Sequence, residues 1–285
     1  MVEWRNGGKG LTNWSGSCMI FVCLYEVNNT KNPSKKGMET DMSERKQAPE
    51  TPWYLRPFGP LVSLALLCVV WGVYGKARLS GRRTRAQRAW QVVSQGCVYD
   101  LGRDLTRHNC FRYCNRGSLS SAYFAQATAA LSDGYIYLAL THSNSPAGEV
   151  IGLFTGRAYN HISLAFDRAL KTLVSYNGGE GGEAPGLNPE TLKGLAERKG
   201  ASVRVYRLAA TRHQKQIMLK RLRKINQEGS AYNLLGLLFP MSCQPNIMFC
   251  SQFVYAMLRL AGLHYFRKNP LQVRPTDFVE WDRRG

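Results

Sequence analysis

Two runs rich in β-branched and aromatic residues, "HISLAF" (161–166) and "TLVSYN" (172–177), are separated only by "DRALK". A connection of that length joins neighbours in space, and a parallel pair would need a dozen residues or more. The two runs therefore pair as antiparallel strands. "YIYLAL" (135–140) and "SVRVYRL" (202–208) have the same composition and read as further strands. Helical patterns follow rather than alternate with them. "RHQKQIMLKRLRKINQE" (212–228) is an amphipathic basic helix with Ile217, Leu222 and Ile225 among its charges. After "YNLLGLL" and a loop holding Pro240 and Pro245, "MFCSQFVYAML" (248–258) opens a second helix, which Gly262 closes as a C-cap. Strands followed by helices predict the α+β class.

In that helix Cys250, Phe253, Val254, Met257 and Ala261 recur at i, i+3, i+4, i+7 and i+11 and share one inward face. Cys250 falls in the first turn, where unpaired backbone N–H groups and the helix dipole favour negative charge. A buried cysteine is also a common small hydrophobe, so helical position alone leaves both readings open. His161 heads a strand in which Ile162, Leu164 and Phe166 point one way and His161, Ser163 and Ala165 the other. Small neighbours on its face leave room for a partner. It is the only one of five histidines that opens such a strand.

"YNHISLAFD" followed by "FCSQFVYAML" resembles the circularly permuted branch of the papain-like, NlpC-type cysteine hydrolase superfamily, which includes the YiiX-type proteins and the lecithin retinol acyltransferase group. The resemblance covers roughly residues 131–279, including "FTGRAYNH", "YNLLGLL" and "RPTDF". It implies that histidine precedes cysteine along the chain, that a small antiparallel sheet packs on the helix bearing Cys250, that Cys250 is the nucleophile, and that His161 takes and returns its proton. It also implies that the Cys250 backbone N–H helps to hold the oxyanion. Relatives place a third, orienting polar residue on the strand after the histidine. An even-length turn pairing Phe166 with Lys171 sets Tyr176 opposite His161, and a one-residue shift brings Ser175 or Asn177 there instead. Neither a carboxylate nor a histidine is present in that run, so Asn177 is favoured on chemistry and Tyr176 on register. Gln244, six residues before Cys250, stands at the spacing of the papain oxyanion glutamine.

Charge then bears on the partner. The chain has 38 Lys+Arg against 19 Asp+Glu, a net +19. Residues 1–59 contribute only +2 of this, so the excess lies beyond them and favours an anionic surface. Without zinc-finger ligand spacing or an aromatic-basic RNA signature, nucleic acid ranks behind anionic lipid. Between Arg56 and Lys76 lie nineteen uncharged residues, "PFGPLVSLALLCVVWGVYG". At about 1.5 Å per residue they match a hydrocarbon core of about 30 Å, with Trp53, Tyr54, Trp71 and Tyr74 near the ends. This predicts one transmembrane helix over 57–75. Lys76, Arg78, Arg82, Arg83, Arg85 and Arg88 follow it, against Arg45, Lys46 and Arg56 before it, so the C-terminal part is expected in the cytoplasm.

The expected organisation is a weakly structured segment 1–56, the membrane helix, a basic helical connector over 76–130, and the hydrolase domain over 131–285. Translation could start at Met38 or Met42. "HNCFRYC" (108–114) has no second ligand pair at zinc-finger distance, and "NGGEGGEAPG" (177–186) lacks the Lys-Ser/Thr ending of a phosphate loop, so neither a metal nor an organic cofactor is expected. The function expected is a membrane-anchored thiol hydrolase or acyltransferase acting on an amide, ester or thioester, with lipid-linked substrates suited to the anchor. Its rivals are a cell-wall peptide amidase if the domain is exported, a catalytically silent binding module, and anionic-surface binding by residues 212–228.

Overall fold

The computed structural model describes residues 5–6, 20–24, 58–81, 83–94, 108, 111–142, 159–179, 183–197, 201–234, 236, 242 and 244–280. Strands β1 (Arg5–Asn6) and β2 (Ile20–Leu24) come first, then helices α1 (Phe58–Leu79) and α2 (Arg83–Ser94). The remaining elements are α3 (Ser121–Ala129), β3 (Tyr135–His142), β4 (His161–Ala165), β5 (Val174–Asn177), β6 (Gly186–Pro189), α4 (Leu192–Glu197), β7 (Ser202–Ala209), α5 (Arg212–Glu228), β8 (Ala231–Tyr232), β9 (Ile247–Met248), α6 (Cys250–Leu260) and α7 (Asp277–Glu280). The class is α+β. A seven-stranded sheet runs β1-β2-β7-β3-β4-β5-β6, with every neighbouring pair antiparallel.

Alternation along the strands supplies two cores, because helices cover both faces of the sheet. Leu138 and Leu140 of β3, Ile162 and Leu164 of β4, and Val174 and Tyr176 of β5 are buried together with Met218 and Leu222 of α5 and Phe253 and Met257 of α6. On the other side Tyr137, Ala139, Ala165, Val203 and Val205 are buried with Leu195 of α4. The expected inward face of α6 is buried throughout, and Gly262 adopts the left-handed φ of +68° expected of a residue after the C-cap. In α5 the inward face is made by Lys215, Met218, Leu219, Leu222 and Ile225, while Ile217 is only half-buried.

The connection between β4 and β5 differs from a simple even-length turn. Asp167 accepts from Lys171 N (3.1 Å), Thr172 N (2.9 Å) and Thr172 Oγ1 (2.5 Å), and Phe166 N donates to Thr172 Oγ1 (2.8 Å). Phe166 and Thr172 are therefore turn residues rather than strand. Leu164 pairs with Val174, one residue away from the even-turn register. Continued along the strands, this register sets His161 opposite Asn177, not Tyr176.

Residues 1–56, expected to be weakly structured, supply two strands. The apolar island around "IFVCL" is β2, paired with β7 at Ile20 to Leu208 and Cys23 to Val205. The segment expected as connector also reaches the core, since Leu119, Tyr123 and Ala127 are buried in it. Residues 57–75 fall almost wholly within α1, which turns at Gly81 into α2 with Trp71 packed edge-on against Trp90 at 6.0 Å. Among the described residues no helix is long and apolar enough to cross a membrane. What is observed of this run is residues 58–75 as part of α1, and Pro57 lies outside the described residues.

Candidate active site

Phe249, the residue before α6, has an extended backbone, and its side chain makes no cap hydrogen bond to the first turn. Cys250 thus begins its helix beside backbone N–H groups that Phe249 does not cap. It is 1% exposed. α6 lies across β4 and β5, and this packing brings Cys250 within electrostatic reach of the His161 ring. The two residues, 89 positions apart in sequence, come together in the fold.

The group on the other side of the imidazole is Glu190, one residue beyond β6. His161 Nε2 lies 2.9 Å from Glu190 Oε1 and 3.0 Å from Oε2. With Nε2 so engaged, Nδ1 is the ring nitrogen left to exchange a proton. Ser163, two residues along the same face of β4, donates to Glu190 Oε2 at 2.5 Å. Asn177 Nδ2 donates to Glu190 Oε1 at 2.9 Å. Asn188 donates to Asn177 Oδ1 at 2.8 Å, and Asn115 to Asn188 Oδ1 at 2.8 Å. Asn115 and Asn188 also donate to Ala184 O, which ties down the end of the glycine-rich segment beside the site. Gly186, with φ +145°, is needed at the start of β6, because a Cβ there would stand 2.6 Å from Ser230 Oγ and 2.9 Å from Asn115 Cβ.

The electrostatics follow from burial and pairing. Burial by itself pushes the His161 pKa down; the Glu190 charge and hydrogen bonds to Cys250 and Glu190 outweigh it and push it up to about 10. Burial by itself would raise Glu190; the His161 charge and the donors His161, Asn177 and Ser163 bring it down to about 2. At neutral pH the pair is an imidazolium and a carboxylate, both buried, each supplying the other's counter-charge.

The other expected site residues take different places. Asn177 holds Glu190, not His161. Tyr176 is fully buried in the core, 5.1 Å from the Phe253 ring, and its hydroxyl donates to Asn246 O at 3.2 Å. Its side chain projects from the opposite face of β5, because adjacent strand residues do so. Gln244 is exposed and its amide donates to Phe111 O at 3.1 Å. Glu190 was missed by sequence because "GLNP" is poor in strand-forming residues. Pro189 is tolerated since β6 is the outermost strand of the sheet. A signal was available only in its place, one of three acidic residues, with Glu180 and Glu183, in the stretch after the second hairpin strand.

Cys114 Sγ donates to Pro185 O at 3.2 Å. Among the described residues no group of three or more His, Cys, Asp or Glu side chains is placed to hold a metal ion. No family model, curated protein or solved structure matches the chain.

Proposed function

We propose that this chain is a thiol hydrolase or acyltransferase of permuted papain-like type, with Cys250 as nucleophile, His161 as proton carrier and Glu190 as the group that orients and charges the imidazole. The observation that carries the reading is the buried His161–Glu190 pair on the strands that α6 crosses, with Cys250 buried at the start of that helix and within electrostatic reach of the ring. In the reactive state the thiol proton is the one that His161 carries on Nδ1, so a thiolate stands beside the imidazolium and the Glu190 charge keeps the proton on the ring. The sulfur then bonds to a carbonyl carbon, and the negative oxygen is held by backbone N–H groups at the start of α6. His161 gives its proton to the leaving nitrogen, oxygen or sulfur as that bond breaks. Water or an acceptor alcohol, losing its proton to His161, cleaves the thioester and restores the thiol. Glu190 also weakens the silent-binding rival, whose ground was the lack of a carboxylate beside His161.

The bilayer anchor is part of the same proposal. It is supported by the charge-free run between Arg56 and Lys76 and by the basic residues that follow it. A cytoplasm-facing domain held there would act on lipid or lipid-modified acyl groups.

The test uses the full chain and an activated acetyl ester. The wild type should show a burst of alcohol release and an acetyl group on Cys250 by mass spectrometry. Cys250→Ser should show neither, and His161→Ala should slow acetylation by at least about a hundredfold. Equal acetylation of wild type and His161→Ala would sink the reading. Extraction of the chain from membranes by alkaline carbonate would sink the anchor alone.

A further inference from the structure

We propose that the outer face of α5, together with α3, docks on an anionic phospholipid surface. The inference is separate from the chemistry at Cys250 and from the bilayer anchor.

Segments 111–130 and 212–228 hold eight Lys and Arg and a single carboxylate, Glu228. Packing sorts these charges. The inward face of α5 is Lys215, Met218, Leu219, Leu222 and Ile225, and of the eight cations only Lys215 is buried. Gln216, Lys220, Arg223, Lys224 and Gln227 recur at i, i+4, i+7, i+8 and i+11 and are all exposed. The fold holds α3 alongside this stripe. Arg223 Nη2 donates to Thr128 Oγ1 at 3.2 Å, and its guanidinium lies over the Phe124 ring, 5.2 Å from the centroid. The segment before α3 is tied to the end of α5. Leu119 N donates to Asn226 Oδ1 at 2.9 Å, Asn226 Nδ2 donates to Leu119 O at 3.0 Å, and Arg116 Nη2 donates to Glu228 O at 3.0 Å. These acceptors are a hydroxyl and carbonyls, so the contacts fix Arg116 and Arg223 in place without cancelling their charge.

The one carboxylate is shared. Lys224 Nζ lies 3.5 Å and Arg221 Nη1 4.0 Å from Glu228, and exposed pairs of this kind leave most of the positive field in place. What α3 exposes is uncharged, with Ala122, Ala125, Gln126 and Ala129 outward, so nothing on it repels a negative surface. Neither helix offers an exposed ring on which a base could stack, since Tyr123 is buried and Phe124 is half-buried under the Arg223 guanidinium. At the start of α5, Gln214 Nε2 donates to Ala261 O at 3.1 Å, which joins it to the end of α6, where Leu260 is 50% exposed beside Arg259. Exposed cations with a leucine at their margin suit the boundary between anionic headgroups and acyl chains. On the other side of the sheet Lys193 of α4 pairs with Glu197 at 3.7 Å, and in the docked state this side faces away from the lipid.

Lysine acetylation of the full chain on vesicles reads this directly, with an uncharged acetyl succinimidyl ester as reagent and each site mapped by mass spectrometry. Vesicles of phosphatidylcholine are compared with vesicles in which roughly one-third of the lipid is phosphatidylglycerol. The anionic lipid should slow labelling of Lys220 and Lys224 at least about threefold and leave Lys193 unchanged. High salt should restore both rates, a measurement that needs no variant to fold. R116Q/R223Q should lose the shielding while Lys193 labels as in the wild type. Equal rates for Lys220 and Lys224 on the two kinds of vesicle would overturn the proposal, and so would slowing of all three lysines together. Shielding by a nucleic-acid duplex at the same phosphate concentration, but not by phosphatidylglycerol, would also overturn it and assign the face to nucleic acid. Alkaline carbonate extraction decides the anchor alone, because a chain anchored in neutral vesicles keeps the α5 lysines open to the reagent.

Discussion

His161 and Glu190 share a buried two-oxygen contact, with Nε2 at 2.9 Å and 3.0 Å from the two carboxylate oxygens. The carboxylate comes from the chain just past an edge strand, the imidazole from the first residue of a more central one, and neither group is matched without the other.

Replacing Glu190 with Gln keeps the shape and removes the charge. The His161 pKa should fall well below its wild-type position, which NMR titration of the ring Cε1 proton would detect. Acetylation of Cys250 should slow roughly a hundredfold, as for loss of a group that orients a general base. An unshifted His161 titration in Glu190→Gln would show that the carboxylate does not charge the ring.

Stability should follow the pair through pH in a definite direction. The His161 pKa is raised on folding, so its contribution is complete below about 6.5 and is lost as pH rises through about 10. The Glu190 pKa is lowered, so its contribution is complete above 4.5 and is lost as pH falls through about 2. The difference in urea-unfolding free energy between wild type and His161→Gln/Glu190→Gln should therefore peak between about pH 4.5 and 6.5. It should decline slowly on the alkaline side. A difference flat from pH 3 to pH 10 would contradict the assignment.

Asn177→Ala should cost about 1–3 kcal/mol of stability, since it leaves Glu190 Oε1 and Asn188 each short of a buried partner. It should slow Cys250 acetylation about tenfold through the misplaced carboxylate. Gln244→Ala, at an exposed site bonded to Phe111 O, should change stability by less than about 0.5 kcal/mol and leave acetylation unchanged. Reversal of the two effects would return Gln244 to the oxyanion role.

Lys215 is a buried lysine whose Nζ donates to Ala130 O (2.7 Å), Asp133 O (2.7 Å) and Phe166 O (2.8 Å). It joins the segment before β3 to the end of β4. Lys215→Met leaves three carbonyls without their donor and should destabilise by roughly 3 kcal/mol or more in thermal or urea melts. Loss below about 1 kcal/mol would mean that water replaces the ammonium at no penalty.

A chain beginning at Met38 lacks β1 and β2 and leaves β7 as a sheet edge. Amides of Val205–Leu208 should exchange hydrogen faster in that form, and it should self-associate more on gel filtration. Equal protection in the two forms would argue that β2 adds nothing to the sheet.

The local parts of this protein were legible in its sequence. Apolar alternation gave β4 and β5, the 3.6-residue period gave the buried face of α6, and a glycine after the helix gave its end. Each depends on residues within a few positions of one another, where backbone geometry alone sets the pattern. Cys250 and His161 stood out for the same reason, one at a helix start and one at a strand start. Register was already less local: the side-chain bonds of Asp167 to Lys171 and Thr172 widened the connection and exchanged Tyr176 for Asn177 opposite His161. Glu190, Lys215 and β2 could be recognised only in the folded chain. A carboxylate on an unremarkable "LNPE" and a lysine in a basic helix look solvent-facing until distant segments remove them from water, and a five-residue apolar island looks incidental until β7 pairs with it. Burial makes the pairing of Glu190 and Lys215 energetically decisive, and burial is a property of the tertiary structure.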